Sequence, residues 1–447
     1  MKKKIKTRKY KIRKKYTRRP KIKNTLKDKP LIKGIKRKSI SKKNDEVKLI
    51  PEFKGPNKNE LPLGGRIYIL YTGGTIGMVH SDDDGLVPIK GNLIKLIKKL
   101  NIDAQLNIEY VIESLHPLID SSDLKTIEWK KIIAKLIENK YSYDSFIILH
   151  GTDTLAYTAS ALSFFLRSFN RSVIVTGSQI PLFEFRNDAM RNVIDSIIIS
   201  LLKIPEVMIV FGGKILRGNC TSKISSTDFA AFGSPNLGDI GNIGVHINIY
   251  KNKLYQHNSL NLPSSNGASN CSNETQLLAE LDTTHWTIKQ WKTKILIQNV
   301  KLLPENNSTM LNNVIDLNPN AIIIRSYGIG NAPMSDKKFV KALKRANKKN
   351  IILVNATQCL YGGVNMDYYK TGRDMKAIGV IGAQDMTEEA IFAKLFYLLQ
   401  VIGTTPDKKN TIESLFETNL AGEITVNQYD VNVRNYLTNY FNLYQEL

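Results

Sequence analysis

The chain has 447 residues, enough for two or three domains, and carries a net charge of +24. Residues 1–43 hold 22 Lys and Arg and one acid, so +21 lies in this tail and +3 in the rest. No apolar run reaches about 18 residues and the N-terminus is charged, which excludes a membrane-spanning helix and a secretory signal.

Residues 1–60 are predicted to form a disordered basic tail, because like charges repel and little apolar surface is available to bury. Lys and Arg interrupted by Tyr10 and Tyr16 favour nonspecific binding of RNA or DNA through charge. A solvated tail without a specific function is the alternative. The run Lys36-Arg37-Lys38 resembles a nuclear import signal, so nuclear partition is an expectation beside the cytoplasmic location that the absent leader predicts.

Residues 61–285 are predicted to form a larger N-terminal α/β domain with a flavodoxin-like parallel sheet. Short strands that are apolar throughout alternate with helical periodicity, as in parallel sheets covered on both faces. The predicted strands are residues 67–70, 146–149, 173–175 and 207–211. The predicted helices follow Ser122 and cover residues 155–165 and 188–202.

The second half of the chain repeats this alternation. Residues 256–280 are rich in Ser, Asn and Gly and are predicted to be an insertion, and residues 286–310 a linker. Residues 311–447 are predicted to form a smaller C-terminal α/β domain. Its predicted strands are residues 321–324, 351–354 and 377–381, and its helices are residues 336–346 and 387–401.

Three polar clusters follow predicted strands: residues 72–75 (TGGT), 150–154 (HGTDT) and 176–179 (TGSQ). Ligands bind beyond the carboxyl ends of strands in open parallel sheets, and glycine lets a backbone approach a ligand closely. Any one cluster is better explained by the use of Thr, Asp and Gly in turns and helix caps. Three at successive strand ends indicate a site.

Thr75 is the candidate nucleophile of that site. A free hydroxyl is weak at neutral pH and needs a base or proton relay. Thr152 and Asp153 offer a hydroxyl beside a carboxylate, and Lys223 follows a predicted strand and the Gly212–Gly213 turn. A lysine in a cleft can serve as a base, although a surface position is the ordinary fate of a lysine. Six scattered histidines and three unpatterned cysteines predict no metal site, no cofactor and a reducing compartment.

Two stretches resemble the signature motifs of bacterial-type L-asparaginases: residues 71–78 (YTGGTIGM) and 148–154 (ILHGTDT). The resemblance to the cytosolic type I branch runs from about residue 66 to about residue 423. Further similar stretches are residues 120–123 (DSSD), 156–164 (AYTASALSF), 173–182 (VIVTGSQIPL), 234–237 (SPNL), 325–333 (RSYGIGNAP) and 382–387 (GAQDMT).

The resemblance implies hydrolysis of asparagine through an acyl-enzyme intermediate by a homodimer or homotetramer. Thr75 matches the family's nucleophile, and Thr152, Asp153 and Lys223 match a second catalytic set. Asp120 and Ser121 match the residues that bind the substrate's α-amino and α-carboxylate groups, to which Thr152 and Asp153 also contribute. Backbone N–H groups near Thr75 and Thr152 are the expected oxyanion hole.

One departure concerns the loop after the first motif, where the family often carries a tyrosine that polarises the nucleophile. The matching position is Leu86, in residues 85–88 (GLVP). The base for Thr75 is therefore open between Lys223, the Thr152–Asp153 pair and a water.

The resemblance also implies a second, regulatory asparagine site between subunits, matched by Arg325, Asn331, Thr357 and Cys359. A guanidinium suits a carboxylate ligand. The alternative is that Arg325 caps a strand end and Cys359 is a small core residue.

The sequence is compatible with three functions. The first is a free-standing asparaginase, and the second is the amidase subunit of a tRNA-dependent amidotransferase, which shares both motifs. The third is a nucleic-acid-binding protein with an inactive amidase body. The lack of a strand pattern in residues 1–60 argues against the second, and retention of Thr75, Thr152, Asp153 and Lys223 argues against the third.

Overall fold

A computed structural model of the chain describes residues 64–81, 85–88, 97–98, 106–255 and 291–425. The predicted tail at 1–60 and the predicted insertion at 256–280 lie outside these ranges. Sixteen strands and eight α-helices are numbered below in chain order within the described residues.

An eight-stranded mixed sheet forms the centre of the N-terminal domain, in the order β12-β11-β8-β7-β6-β5-β1-β4. Its strands are Arg66–Tyr71 (β1), Glu109–Ser114 (β4), Ser145–Leu149 (β5), Ser172–Thr176 (β6), Val207–Phe211 (β7), Lys214–Arg217 (β8), Gly241–Ile243 (β11) and Ile247–Ile249 (β12). Two short antiparallel pairs lie outside it: Met78–Ser81 (β2) with Gly85–Pro88 (β3), and Ser222–Lys223 (β9) with Phe232–Gly233 (β10).

The predicted parallel, flavodoxin-like sheet is confirmed in β1, β5, β6 and β7, and the edge strand β4, which was not predicted, extends it in parallel. Their order by position in the chain is 2-1-3-4-5, the flavodoxin-like order. Every residue of β5, β6 and β7 is buried, because helices cover both faces of the sheet. These helices are Thr126–Asn139 (α1), Leu155–Phe165 (α2) and Ala189–Ser200 (α3).

The antiparallel strands at one edge of this sheet were not predicted. Gly212 and Gly213 alone join β7 to β8, with φ of 59° and 78°. Two successive left-handed residues make the tight turn of a two-residue hairpin, which returns the chain antiparallel. β8 then pairs antiparallel with β11, and β11 with β12.

A four-stranded parallel sheet, β13-β14-β15-β16, forms the smaller C-terminal domain. Its strands are Ile297–Lys301 (β13), Ala321–Ser326 (β14), Ile352–Thr357 (β15) and Val380–Gly382 (β16). Its helices are Asn307–Asp316 (α4), Lys337–Lys348 (α5), Lys370–Ala377 (α6), Glu388–Val401 (α7) and Lys409–Glu417 (α8).

Two predictions for this domain differ from the structure. β13 lies inside the stretch predicted as a linker and is an edge strand of the sheet. Its sequence, IQNVK, mixes polar and apolar residues, so it cannot be recognised as an apolar run. The last strand was predicted from residue 377, but Ala377 ends α6. The left-handed Gly379, with φ of 95°, separates that helix from β16.

Aromatic side chains of α7 join the two domains. Phe392 and Phe396 contact Trp129 of α1 edge-on, with ring centroids 6.2 and 5.6 Å away. Tyr397 packs against Phe164 and Phe165 of α2. Such rings bury large apolar areas in fixed geometry, so α7 is held against the helix that follows the HGTDT cluster. In the described part of the chain, no helix has the length and apolar character needed to cross a bilayer.

Candidate active site

The candidate site lies where the order of the central strands reverses, between β1 and β5. In doubly wound sheets this switch point opens a crevice beyond the carboxyl ends of the strands. β1 leads into the TGGT cluster and β5 into the HGTDT cluster, while β4, on the far side of β1, leads towards Asp120 and Ser121. The topology therefore brings together three segments that are far apart in the sequence.

Glycines allow the three loops to meet backbone to backbone. A Cβ atom placed on Gly74 would lie 2.3 Å from Cα of Gly151, and one on Gly151 would lie 2.5 Å from Oγ of Ser121. No side chain fits at such distances. Because Thr75 follows Gly74 and Thr152 follows Gly151, this contact sets the two threonines on adjacent loops.

Ser121 is the hub of the loop contacts. It is buried, its Oγ accepts the N–H of Asp153 at 3.3 Å, and its carbonyl accepts the hydroxyl of Thr154 at 2.7 Å. Asp120 is exposed and caps the 3-10 turn Ser121–Asp123 by accepting the N–H of Ser122 at 3.0 Å. A buried hydroxyl and an exposed carboxylate therefore border the crevice side by side.

Lys223 reaches the HGTDT cluster from β9. Its Nζ donates to Oγ1 of Thr152 at 2.9 Å and to Oδ1 of Asp153 at 2.7 Å. Thr152 is buried, whereas the Asp153 side chain is 58% exposed, so the carboxylate is open to solvent and to a ligand. The carboxylate–amine–hydroxyl order corresponds to the orienter, base and hydroxyl of catalytic triads.

The predicted site residues thus form two neighbouring groups. Lys223, Thr152 and Asp153 are directly hydrogen-bonded, and Ser121 is tied to Asp153. Thr75 begins the 3-10 turn Thr75–Gly77 and is partly exposed. Leu86 lies in β3, opposite His80 of β2, in the hairpin that follows the TGGT cluster. Within the described residues, no group of three or more His, Cys, Asp and Glu is placed to hold a metal ion.

His150 stabilises the HGTDT loop through hydrogen bonds of its ring. It is buried, its Nδ1 lies 2.7 Å from the carbonyl oxygen of Gly151, and its Nε2 lies 3.0 Å from the hydroxyl of Thr158. The Gly151 carbonyl can only accept, so Nδ1 carries the hydrogen and Thr158 donates to Nε2. Trp129 in turn donates to Thr158 at 3.1 Å. Burial lowers the pKa of His150 from 6.5 to about 4, so the ring is neutral at physiological pH.

His150 should make the fold acid-sensitive. Its pKa in the folded protein, about 4, is below the unfolded value, so the unfolded chain binds the extra proton between these values. Stability is therefore fully present above about pH 6.5 and falls as the pH drops, by about 2 to 3 kcal/mol at about pH 4.5. The free energy of unfolding in urea, measured at several pH values, should fall with decreasing pH by this extra amount in the wild type but not in His150→Gln, which cannot titrate. Parallel curves would contradict the assignment.

A second polar cluster lies at the carboxyl ends of β14 and β15. Nε of Arg325 donates to the carbonyl of Thr357 at 2.8 Å. The Thr357 hydroxyl donates to the carbonyl of Gly328 at 2.6 Å and accepts the N–H of Cys359 at 3.0 Å. Arg325, Thr357 and Cys359 thus lie together. Asn331 lies in the turn after β14, and its side-chain oxygen accepts the hydroxyl of Thr371 at 2.6 Å.

Sequence reasoning missed two residues around these clusters, Glu388 and Glu389. Glu388 forms an ion pair with Arg325, and Glu389 accepts the hydroxyl of Ser222 at 2.8 Å, directly before Lys223. Only the fold brings the C-terminal domain to these residues. The one available signal was Thr387, whose side chain accepts the N–H of Ala390 and marks the start of α7 as a cap.

Comparison with known proteins places the chain in a family. A model of the N-terminal asparaginase domain matches residues 66–255, and a model of the glutaminase/asparaginase C-terminal domain matches residues 297–416. L-asparaginase 1 of Escherichia coli is 38% identical over 362 residues, which cover 80% of this chain and 98% of that protein.

A mouse 60 kDa lysophospholipase is 30% identical over 82% of this chain and 64% of its own length. Among solved structures, L-asparaginase I of Vibrio cholerae matches with a TM-score of 0.68 and 35% identity, over 81% of this chain and 99% of that one.

Proposed function

Because the chain belongs to the asparaginase family, we propose that it hydrolyses the side-chain amide of free L-asparagine to L-aspartate and ammonia. The observation that carries this proposal is the hydrogen-bonded set of Lys223, Thr152 and Asp153 beside the Thr75 loop. Family membership supports an amidohydrolase, and this set supports the chemistry below.

In the first half of the reaction, the Thr75 hydroxyl attacks the amide carbon. Its proton passes to the leaving nitrogen, ammonia departs, and an acyl ester forms on Thr75. Backbone N–H groups of the TGGT and HGTDT loops would stabilise the oxyanion. In the second half, a water hydrolyses the ester and regenerates the hydroxyl. Asp120, Ser121 and Asp153 would hold the α-amino and α-carboxylate groups.

The proton relay is assigned to Lys223. Leu86 has no proton to transfer, whereas the Lys223 amine already contacts the Thr152 hydroxyl and the Asp153 carboxylate. Asp153 orients the amine, and Thr152 connects it to the crevice. Lys223, reacting as the free amine, then takes the proton from the reacting hydroxyl, becomes an ammonium beside Asp153, and returns the proton to the leaving group.

Purified protein should release ammonia from L-asparagine without metal, nucleotide or tRNA. Activity on L-glutamine should be much weaker, because contacts placed for one chain length lose their geometry when a methylene is added. Coupled ammonia detection with each amino acid, with and without tRNA, is the measurement. A requirement for tRNA would favour the amidotransferase alternative. Fatty-acid release from a lysophospholipid without amide hydrolysis would also refute the proposal.

The Arg325 cluster supports a regulatory role for this second site. We propose that asparagine binds there through its carboxylate, in a homodimer or homotetramer, and that rate therefore rises sigmoidally with asparagine concentration. A hyperbolic curve from micromolar to millimolar asparagine would contradict it.

The basic tail supports a separate binding proposal. Deletion of residues 1–43 removes +21 of the +24 net charge. Binding to RNA or heparin should weaken sharply, since tail lysines release counterions from phosphates, while asparaginase activity and thermal midpoint should change little. Filter binding at low and physiological salt, with activity and melting of both proteins, tests this. Unchanged polyanion binding would place the basic surface on the body instead.

A further inference from the structure

The first turn of α7 lies between the two polar clusters. The carboxylate of Glu388 pairs with Arg325 and accepts the side-chain N–H of Asn299 at 2.6 Å. The next carboxylate, that of Glu389, accepts the hydroxyl of Ser222 at 2.8 Å. Ser222 and Lys223 together make up β9. Two adjacent residues of the C-terminal domain therefore contact the Arg325 cluster on one side and the strand of Lys223 on the other.

Glu389 is unusual as a buried carboxylate. It is 9% exposed, and burial raises its pKa. A buried carboxylate must be satisfied by hydrogen bonds, and Ser222 supplies one. Replacing either group would leave the other short of a partner, so the position of β9 depends on the first turn of α7.

Tyr157 marks the same junction from the N-terminal domain. It belongs to α2, which starts directly after the HGTDT cluster, and its ring packs edge-on against Phe392 of α7 at 6.1 Å. Burial raises the pKa of Tyr157, and the charges of Glu388 and Glu389 raise it further. Both carboxylates thus act on Tyr157 near the start of α2, and Glu389 also contacts β9.

We propose that the Glu388–Glu389 pair couples the Arg325 cluster to the candidate active site, with Glu389 acting as the positioning residue for Lys223. This inference rests on the proposed function of both sites. The Arg325 guanidinium is held by the Thr357 carbonyl and by Glu388. A ligand carboxylate at Arg325 competes with Glu388 and releases the first turn of α7.

Release of that turn changes the contact between Glu389 and Ser222. The body of α7 is fixed by its aromatic contacts with α1 and α2, so the change is confined to the first turn. Lys223 is the neighbour of Ser222, and its amine must stay within hydrogen-bond distance of Thr152 to transfer a proton. The two states differ in which carboxylate occupies Arg325, as coupling between sites requires.

The first test measures binding without turnover. Calorimetry of the full-length Thr75→Ala variant with L-asparagine should resolve two classes of site, one of which disappears in Thr75→Ala/Arg325→Ala. In Thr75→Ala/Glu388→Gln, the affinity of that same class of site should rise by about fivefold or more, because the competing carboxylate is gone. Asp316→Asn is the matched control, because it removes the partner of Arg345 elsewhere in the C-terminal domain. A single class of site, or unchanged affinity in the Glu388 variant, would overturn the proposal.

The second test measures positioning. Ser222→Ala and Glu389→Leu should each lower kcat by about tenfold with little change in KM, and should flatten the sigmoidal curve. Glu389→Gln keeps an acceptor for Ser222 and should restore most of kcat. The Ser222→Ala/Glu389→Leu double variant should lose no more than either single variant, because the two act through one contact.

The outcomes separate the two levels of inference. If Lys223→Ala keeps its turnover, the proposed chemistry fails. If Lys223→Ala is inactive while Ser222→Ala and Glu389→Leu retain the wild-type curve, the chemistry stands and the coupling is wrong. Additive losses in the double variant, with melting temperatures that fall in parallel, would reduce Glu389 to a structural residue.

Discussion

Replacing Lys223 by alanine should lower kcat by at least about 10²-fold while leaving the fold intact, and Thr75→Ala should do the same. The Lys223 amine contacts both Thr152 and Asp153, so its loss removes the connection between the carboxylate and the buried hydroxyl. The measurement is steady-state ammonia release at saturating L-asparagine, with circular dichroism to verify folding. Near-wild-type turnover in either variant would remove that residue from the mechanism.

Two conservative variants distinguish the roles within this set. Lys223→Arg keeps a positive charge beside Asp153, but a guanidinium does not lose its proton in the accessible pH range. A proton-carrying Lys223 therefore predicts an inactive arginine variant, whereas a purely electrostatic role predicts substantial activity. Thr75→Ser keeps the hydroxyl and should retain far more activity than Thr75→Ala, because the nucleophilic oxygen is preserved.

The central fold could be predicted because its signals are local. β5 and β7 are runs of apolar residues between turns, and α2 follows a Thr-Asp-Thr start. The antiparallel edge strands lack such a signal, since β11 and β12 are three residues long and carry Asn in the middle. Their existence depends on the Gly212–Gly213 hairpin and on pairing with β8, which are tertiary facts.

The loops of the candidate site could be predicted from the sequence, but the contacts made across the two domains could not. The TGGT and HGTDT clusters follow strands that a parallel sheet must align, so their meeting follows from topology. Lys223 was assigned by resemblance, because nothing local distinguishes it from the other lysines of the chain. The contact of Ser222 with Glu389, 167 residues away, forms only when the two domains pack, and no sequence pattern predicts it.

A backbone anchor, formed by residues 421 and 422 near the end of the described chain, holds the segment that leads to Lys223. Residues 421 and 422 offer their carbonyls to the N-terminal domain: Asn219 donates to Ala421 at 2.9 Å, and Arg217 donates to Gly422 at 3.1 Å. Asn219 belongs to the 3-10 turn Gly218–Cys220, two residues before β9. The anchor therefore fixes the approach of the chain to Lys223.

A fully buried ion pair connects residues 421–423 to α7. Lys394 of α7 and Glu423 have side chains with no exposed surface and form a salt bridge. The two Glu423 oxygens also accept the N–H groups of Leu420 and Ala421, at 2.9 and 2.7 Å. Burial lowers the pKa of Lys394, and the charge of Glu423 opposes this shift. Each charge is tolerated only because the other is present.

Glu423→Ala should therefore destabilise the protein by about 3 to 5 kcal/mol, because it leaves the Lys394 ammonium in a dry interior. Lys394→Met should cost less, since the Glu423 carboxylate keeps its two backbone donors. Urea unfolding at neutral pH measures both effects.

The double variant Lys394→Met/Glu423→Gln provides the control for this assignment. It removes both charges while keeping similar volumes, so it should recover most of the stability lost in Glu423→Ala. Recovery would identify the cost as that of an unpaired buried charge rather than of a lost contact. The single variant Glu423→Gln completes the cycle, and if the double variant were as unstable as the sum of Lys394→Met and Glu423→Gln, the pair would not be coupled. The anchor beneath β9 would then depend on the backbone hydrogen bonds of Ala421 and Gly422 alone.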